Sequence, residues 1–552
     1  MKKILSLMLC IALVISCGAA FAEVTDPIVT PVGELPVVSE PLTITVGMMN
    51  QTNVTTYEYG ENYLVTLLED LTGIHIEWDL YPAVADDAYS KLRLQINGGE
   101  HLDDLLIGFD LNTDSVRESY GQAGALIPLN DYIENLSYYH AQNLARTPEG
   151  PEALWAMGRS LDGNYYGMLS LYRTLPNFYS MRAWYNRDFV AALGMEDPGD
   201  LPTQEWFLTY LRGVRDNDVN GNGDPNDEVP LTGGTGWQQN LIKWCLKMYT
   251  YIDNTSSWFQ IEDGILSHAY EKEEFREGLK FVRQLYDEKL FPDYALTQDN
   301  SNYVASISAP TPYVGIGVSG SCSGFGANMP IMNPIPVVAG PDGFASATYI
   351  PQNPNFACCI TSDAEHPEAI FRMMDAYNAE QWYGLVNRWG QPDVDWKFAD
   401  ETNVSMYESI GMSAYFVQLQ SVWGVPTSSM LCQDSIFGSV DYENINSRFA
   451  WDGNEANNEF KNALAVAKQV DYVPDEYVAK IIYSIDEQED WANVRTAIND
   501  HVNAFCAQAV TGQIDIYDDA VWANFQAELV GLGCNELLEM DQAAYNRTMG
   551  IE

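Results

Sequence analysis

The chain is short of positive charge. Of 552 residues only 28 are Lys or Arg, against 77 Asp or Glu, and the formal net charge is −49. Phosphate backbones and anionic lipid surfaces are bound through clusters of Lys and Arg. No such cluster offsets the acidic field, so nucleic acid is not a partner. Cysteine is also sparse. Seven lie beyond residue 22: Cys245, Cys322, Cys358, Cys359, Cys432, Cys506 and Cys534. An odd number at irregular spacing is not a disulfide framework. Most sit among apolar or small residues and read as buried free thiols. Cys358 and Cys359 are adjacent, and strand neighbours point to opposite faces, which argues against a shared metal. Beyond the N-terminus no apolar run reaches the ~20 residues that a membrane helix needs.

What is present is globular. Hydrophobic residues make up 46% and aromatics 12%, values of a folded chain, and the length suggests two or more domains. Residues 1–22 read as an export signal. Lys2 and Lys3 precede an apolar stretch from Ile4 to Ile15, and Ala20-Phe21-Ala22 forms a small-residue cleavage site. A second reading competes: Val14-Ile15-Ser16-Cys17-Gly18 resembles a lipobox, which would leave Cys17 lipidated. Either way the expected location is extracytoplasmic. Residues 23–41 carry Pro27, Pro31, Pro36 and Pro41 without an apolar period and read as a linker.

From Leu42 the pattern becomes regular. The β-branched run Leu42–Val46 predicts a strand, and apolar residues at helical spacing predict a helix over Asn62–Leu71 ended by Gly73. Ile74–Trp78 predicts a strand, 83–97 a helix and Leu105–Ile107 a buried strand. This β-α-β-α-β order implies a parallel sheet with right-handed crossovers. Ligands of such sheets bind beyond the strand C-termini, here Asn50-Gln51 and Phe109-Asp110. A second lobe is expected from about residue 171. It includes helices over Gln204–Val214 and 272–289 and a strand at Tyr313–Val318. The C-terminal third is mostly helical.

The stretch from Asp216 to Glu228 carries oxygen side chains at every second position: Asp216, Asp218, Asn220, Asn222 and Asp224. Gly221 and Gly223 interleave, and Asp227-Glu228 closes the run. A hard cation such as calcium takes six to eight oxygens, and an alternating loop with a glycine turn wraps them around one point. Two registers are open. A start at Asp216 puts Gly221 at position 6 and Asp227 at position 12; a start at Asp218 gives a shortened loop. The bland alternative is a solvated Asn/Gly turn.

Other motifs weigh less. Gly315-Ile316-Gly317-Val318-Ser319-Gly320 matches a dinucleotide fingerprint, but no helix is expected after it, and a phosphate site needs that helix N-terminus. Gly320-Ser321-Cys322-Ser323-Gly324 imitates a nucleophile elbow without a paired histidine. No coherent catalytic set is seen. Trp237, Trp258, Trp389, Trp423 and Trp451 lie in Gly-, Asn- or Ser-rich segments. Beside Gln238, Gln239, Asn240, Asn387 and Arg388 they suit a carbohydrate site, which needs apolar faces for sugar rings and placed polar groups for hydroxyls. Asn50, Gln51, Trp237, Arg388 and Trp389 are the leading candidates.

Several stretches together resemble a known family. They are Thr72-Gly73-Ile74, Gly98 to Gly108, Ile127-Pro128-Leu129-Asn130-Asp131, Asp162-Gly163-Asn164-Tyr165-Tyr166-Gly167, Asp218 to Pro230, Pro341-Asp342-Gly343 and Ala364 to Ala369. In this order they resemble the substrate-binding proteins of ABC importers, extracellular solute-binding family 1, and most of all its LipO-like and alginate-binding members. The resemblance runs from about residue 42 to the C-terminus. It implies an α/β, two-lobed periplasmic-binding-protein-like fold of type II with a ligand cleft between the lobes. Lobe 1 is expected at 42–170 and 344–390, and lobe 2 at 171–343 and 391–552, with a helical C-terminal region. The implied function is to bind a carbohydrate and deliver it to ABC permease membrane subunits, as a monomer and not an enzyme; the alternative is a secreted glycan-degrading enzyme. The family's calcium loop reads D-x-N-x-N-x-x-x-D-E. Here Asp218, Asn220, Asn222, Asp227 and Glu228 match it with one extra residue before the acidic pair, and Asp224 is a further candidate for a structural Ca2+.

Overall fold

The computed structural model describes residues 24–551, save Asn254, Ser256, 421–424 and 432–435 and the side chains of Ile436 and Ile485. The export signal with Cys17, and also Trp423 and Cys432, lie outside the described residues.

Strand and helix alternate from the start: β1 (Leu42–Met49), α1 (Tyr63–Thr72), β2 (Ile74–Tyr81), α2 (Ala85–Gly98) and β3 (Leu105–Ile107), with β4 (Met168–Ser170) later. Next come β5 (Ala183–Asn186), α3 (Gln204–Asp216), β6 (Val229–Thr232), the hairpin β7 (Phe259–Glu262) and β8 (Ile265–His268), α4 (Glu273–Asp287), β9 (Val314–Val318) and β10 (Met332–Pro334). The chain continues through β11 (Asn355–Ile360), α5 (Pro367–Ala376), α6 (Tyr383–Trp389), β12 (Trp396–Phe398) and β13 (Phe416–Gln418). It ends in α7 (Ile485–Thr511), α8 (Asp519–Gly531) and α9 (Cys534–Met549).

These elements form two compact units. Unit 1 draws on the chain up to Leu171, on Asn355–Gln391 and on Val422–Tyr442. Its sheet has the order β2-β1-β3-β11-β4. β1 pairs in parallel with β2 and β3, and β11 pairs antiparallel with β3 and β4. The local signals act as expected. The Asn62 side chain caps α1 by accepting from the Leu64 and Val65 amides, and Gly73 ends it at φ 75°. Ile44, Val46 and Met48 alternate into the core and meet Leu64, Leu68, Ile370 and Met374 from α1 and α5. Each such side chain contributes about 1.5–3 kcal/mol by leaving water.

Unit 2 is Tyr172–Pro354, Pro392–Ser421 and Glu443–Glu552. Its sheet has the order β10-β5-β9-β6, with β6 and β9 parallel and β5 antiparallel to both its neighbours. α3 and α4 cover it with Phe207, Leu211, Phe275, Leu279 and Val282, and α7 to α9 add Val502, Phe505, Phe525 and Leu537 to the same core.

Three expectations change. Residues 24–41 are not a free linker: Val37 and Val38 are buried, Val29 bridges Val38, and the Arg372 guanidinium donates to the Thr30 and Glu34 carbonyls. The three valines supply apolar area that the proline count concealed. Residues 344–354 belong to unit 2. Residues 425–431 and 437–442, expected in the second lobe, pack with unit 1, where Thr427 bridges Val54 and the Leu171 amide donates to the Ser439 carbonyl.

Candidate functional site

The oxygen loop joins α3 to β6 in unit 2. α3 is locked to the end of α4, where the Arg212 guanidinium donates to both Glu288 oxygens at 2.6 and 2.7 Å and Arg215 donates to the Glu288 carbonyl. Arg212 holds the Glu288 carboxyl down to about 2. Arg215 also grips Asp216 through two hydrogen bonds of 2.7 and 2.8 Å, so Asp216 is turned toward α3.

The loop's internal bonds begin at Asp218. Its carboxylate accepts from the Asn222 and Gly223 amides at 3.1 and 2.9 Å. Asn220 and Asn222 accept from the Asn222 and Asp224 amides, while their own side-chain amides donate to Asp227 at 3.5 and 2.6 Å. Glu228 Oε1 accepts from the Asn220 amide, and its Oε2 is buried without a hydrogen-bond partner. Gly221 and Gly223 turn the chain at φ 70° and 95°, conformations that side-chain-bearing residues resist. The structure thus gathers Asp218, Asn220, Asn222, Asp227 and Glu228. Asp224 adjoins them: its amide donates to Asn222, and its carboxylate accepts from the Asn226 amide. A buried carboxylate oxygen without a donor is costly, and these oxygens fit a hard cation.

In unit 1 the parallel strands end together. The Asn50 amide donates to the Tyr81 carbonyl at the end of β2. Gln51 donates from its amide to the Tyr57 hydroxyl and folds its side-chain amide back to the Met49 carbonyl. Beyond β3, Gly108 and Phe109 both take positive φ, 84° and 54°. Phe109 packs edge-on to Tyr81 with centroids 4.8 Å apart. Asp110 receives Arg93 on one oxygen, and its Oδ1 is buried without a partner. Strain and an unsatisfied acceptor at the C-terminal end of a parallel sheet are features of binding sites. Asn50 is exposed and Gln51 half-buried. Arg388 and Trp389 close α6. The guanidinium lies 5.2 Å from the Trp389 ring centre, and Trp389 is only 5% exposed. Of this pair of sugar candidates the ring is the buried member, and Arg388 is half-buried.

Trp237, in unit 2, is 56% exposed. It follows β6 in a turn anchored by the Gln239 side chain, which accepts from the Gly236 amide and donates to Asn300. Its ring lies directly on Gly320, beyond the end of the parallel strand β9: a Cβ at Gly320 would sit 2.2 Å from the ring. The buried Arg182 in turn donates to the Gly320 carbonyl at 2.6 Å. The ring therefore stands on a platform that only glycine permits. Unit 2 also holds an aromatic group that was not expected from the sequence. Phe178, Tyr179 and Tyr349 have centroids 5.5–6.4 Å apart, and Tyr477 joins Tyr349 at 4.7 Å. They come from three distant segments, and no local pattern marks them.

The two weaker motifs resolve into packing. Gly315 and Gly317 lie within β9, backed by the Pro230 carbonyl and by Tyr303 and Phe325. Cys322 is fully buried, and burial pushes its thiol up to about 12, which leaves no thiolate for attack. Trp258 is a buried core ring, whereas Trp451 is partly exposed and stacks on Phe460 at 5.3 Å.

No family model matches the chain. By sequence it is similar to a fructooligosaccharide ABC transporter substrate-binding protein, FusA, of Streptococcus pneumoniae. The two are 22% identical over 507 residues, 88% of this chain and 87% of that protein. The solved structure of FusA in complex with kestose matches 93% of this chain and 100% of its own, with TM-score 0.66 and 21% identity. A further FusA structure is described as an EF-hand mutant. An HMO-binding, ABC-transporter-associated solute-binding protein from Bifidobacterium longum infantis matches at TM-score 0.71 and 14% identity, over 93% and 100% of the two chains. The alginate-binding protein AlgQ2 without calcium ion matches at 0.59 and 18%, over 92% and 99%. At these identities the structural likeness is one of fold. The relatives are substrate-binding proteins of the class that the sequence resembles, and the α/β, two-unit architecture is theirs.

Proposed function

We propose that this protein is the extracytoplasmic substrate-binding component of an ABC transporter, and that its ligand is a carbohydrate of the oligosaccharide class. The observation that carries this reading is the similarity to FusA along 88% of the chain, together with a fold matched over nearly its whole length. The geometry supports it. Both sheets end in polar or aromatic groups at parallel strand C-termini: Asn50, Gln51 and Asp110 in unit 1, and Trp237 on Gly320 in unit 2. Of the five sugar candidates, Asn50, Gln51, Trp237 and Arg388 are exposed or half-buried, and Trp389 is packed beneath Arg388.

The protein then acts as a monomer that hands its ligand to permease subunits, without catalysis. Its mature N-terminus is either lipidated Cys17 or the residue after Ala22, which mass spectrometry of the exported protein distinguishes. The oxygen loop holds one structural calcium ion through Asp218, Asn220, Asn222, Asp227 and Glu228, with Asp224 as a further candidate for its shell. The deciding experiment is a melting-temperature screen against fructo-, gluco- and galacto-oligosaccharides, with product analysis. Stabilisation without product supports a receptor, since a ligand of the folded state raises stability. Shortened sugars would show a hydrolase instead.

A further inference from the structure

Far along the chain from the oxygen loop, unit 2 gathers three donor atoms of different kinds. His268 ends β8, Glu271 closes the short 3-10 turn Ala269–Glu271, and Cys534 opens α9 after Gly533 at φ 92°. Among the described residues this is the one group of three His, Cys, Asp or Glu whose ligand atoms all lie within 4.8 Å of one another. His268 Nδ1 is 3.7 Å from Cys534 Sγ and 3.6 Å from Glu271 Oε2, and Sγ is 3.9 Å from Glu271 Oε1.

These separations are informative. The 3.6 Å imidazole–carboxylate distance is too long for a good hydrogen bond, and both sulfur distances are at the long end. Zinc binds N and O at ~2.0–2.2 Å and thiolate at ~2.3 Å in a tetrahedron, which spaces such donors about 3.4–3.6 Å apart. The Nδ1–Sγ and Nδ1–Oε2 separations of 3.7 and 3.6 Å are within a few tenths of an ångström of that, and Sγ faces the other oxygen of the same carboxylate at 3.9 Å. The imidazole plane is fixed by stacking on both sides, against Phe259 (5.5 Å, 17°) and Tyr270 (4.7 Å, 12°). His268 and Cys534 are buried while the Glu271 side chain is 30% exposed, so solvent reaches the triangle from one side.

We propose that His268 Nδ1, Cys534 Sγ and one Glu271 oxygen bind a zinc ion, with water in the fourth position. The donor set selects against calcium, which wants oxygens only, and for a borderline-soft metal. Binding replaces the thiol proton of Cys534, which leaves to solvent, with a sulfur–zinc bond. The ion fastens the start of α9 to the β7–β8 hairpin, two elements 266 residues apart in the chain at Cys534 and His268. This site stands apart from the transport reading and from the oxygen loop.

The test uses the full chain, stripped of metal and then kept in saturating calcium so that the oxygen loop does not compete. Zinc after desalting is read by elemental analysis, and cobalt substitution by absorption. One zinc equivalent and a thiolate-to-cobalt charge-transfer band are expected. Cys534→Ser should abolish the band and weaken zinc by on the order of 100-fold or more, beyond the usual cost of losing a supporting partner. Glu271→Gln keeps an oxygen for the His268 amide that the carboxylate now caps, so it should weaken zinc while the metal-free protein still folds; it carries the test if Cys534→Ser fails to fold. Asp218→Ala should keep the band. Absence of a zinc equivalent from wild type would leave a hydrogen-bonded turn and overturn the proposal, as would a band that persists in Cys534→Ser.

Discussion

Each unit buries charged groups of both signs, and one in each is displaced far from its ordinary titration. In unit 1 it is Asp375, fully buried on α5. Its Oδ1 accepts from the Tyr138 and His140 amides at 2.8 and 2.9 Å. Burial still pushes its carboxyl up to about 6. In unit 2 it is Lys247, beside the buried Arg182. Arg182 donates to the Tyr179, Gly320 and Pro176 carbonyls, and Lys247 donates to the Met181 carbonyl at 2.8 Å. Burial, and then the neighbouring Arg182, push the Lys247 ammonium down to about 7. The same desolvation thus moves an acid up in unit 1 and a base down in unit 2, and both candidate ion groups lie in unit 2.

Calcium removal is the strongest way to break that contrast. A structural ion present at 1,000 times its Kd contributes about 4 kcal/mol. Chelation should lower the melting temperature, and hydrogen exchange should speed up across α3, the loop and β6 while the β1–β3 amides of unit 1 keep their protection. Calcium should restore both better than magnesium, which demands a tighter octahedral shell. Equal loss in the two units would remove the distinction. Asp218→Ala should reproduce the chelated state and no longer respond to calcium.

Asp375→Ala should destabilise unit 1 by about 2–5 kcal/mol, because it leaves two buried amides without an acceptor. Urea unfolding with and without calcium would show the same loss in each. The pH responses should oppose. Asp375 titrates higher in the folded state than its ordinary value near 3.8, so its contribution to stability falls as pH rises from about 4 to about 6, then stays level. Lys247 titrates lower than its ordinary value of 10.5, so its contribution rises with pH above about 7 and levels near 10. Lys247→Met should abolish the alkaline rise alone.

Smaller effects test the binding surfaces. Trp237→Ala should weaken an identified sugar about 10- to 100-fold, the loss expected of an aromatic anchor, without changing the melting temperature of the free protein. Gly320→Ala should weaken it too by pushing the ring off its platform. Isothermal titration of both variants reads this, and wild-type affinity in both would remove Trp237 from the site. Asp224→Ala decides whether Asp224 belongs to the calcium shell: outside it, calcium-dependent stability should change by less than about 0.5 kcal/mol, the range of an exposed substitution.

What was legible in the sequence was local. The β-α-β-α-β order of 42–107, the Gly73 stop and the helices expected over 204–214 and 272–289, found at 204–216 and 273–287, all follow from periodicity and turn chemistry within a few residues. The oxygen loop was legible for the same reason: its donors lie within eleven consecutive residues, so spacing alone brings them near one point. Only the tertiary structure decided the rest. That Asp216 pairs with Arg215, while Asp218 accepts from the loop's own amides, could not be read from the alternating spacing. Trp237 and Trp389 sit in similar glycine-flanked contexts, yet one is exposed and one packed away. Val29, Val37 and Val38 are buried although their prolines suggested a free segment. His268, Glu271 and Cys534 meet because a hairpin and the last helix pack on one core. Chain connectivity dictates short-range geometry through allowed dihedrals and hydrogen-bond period. Which distant side chains converge depends on how the buried surfaces fit, and no single segment carries that information.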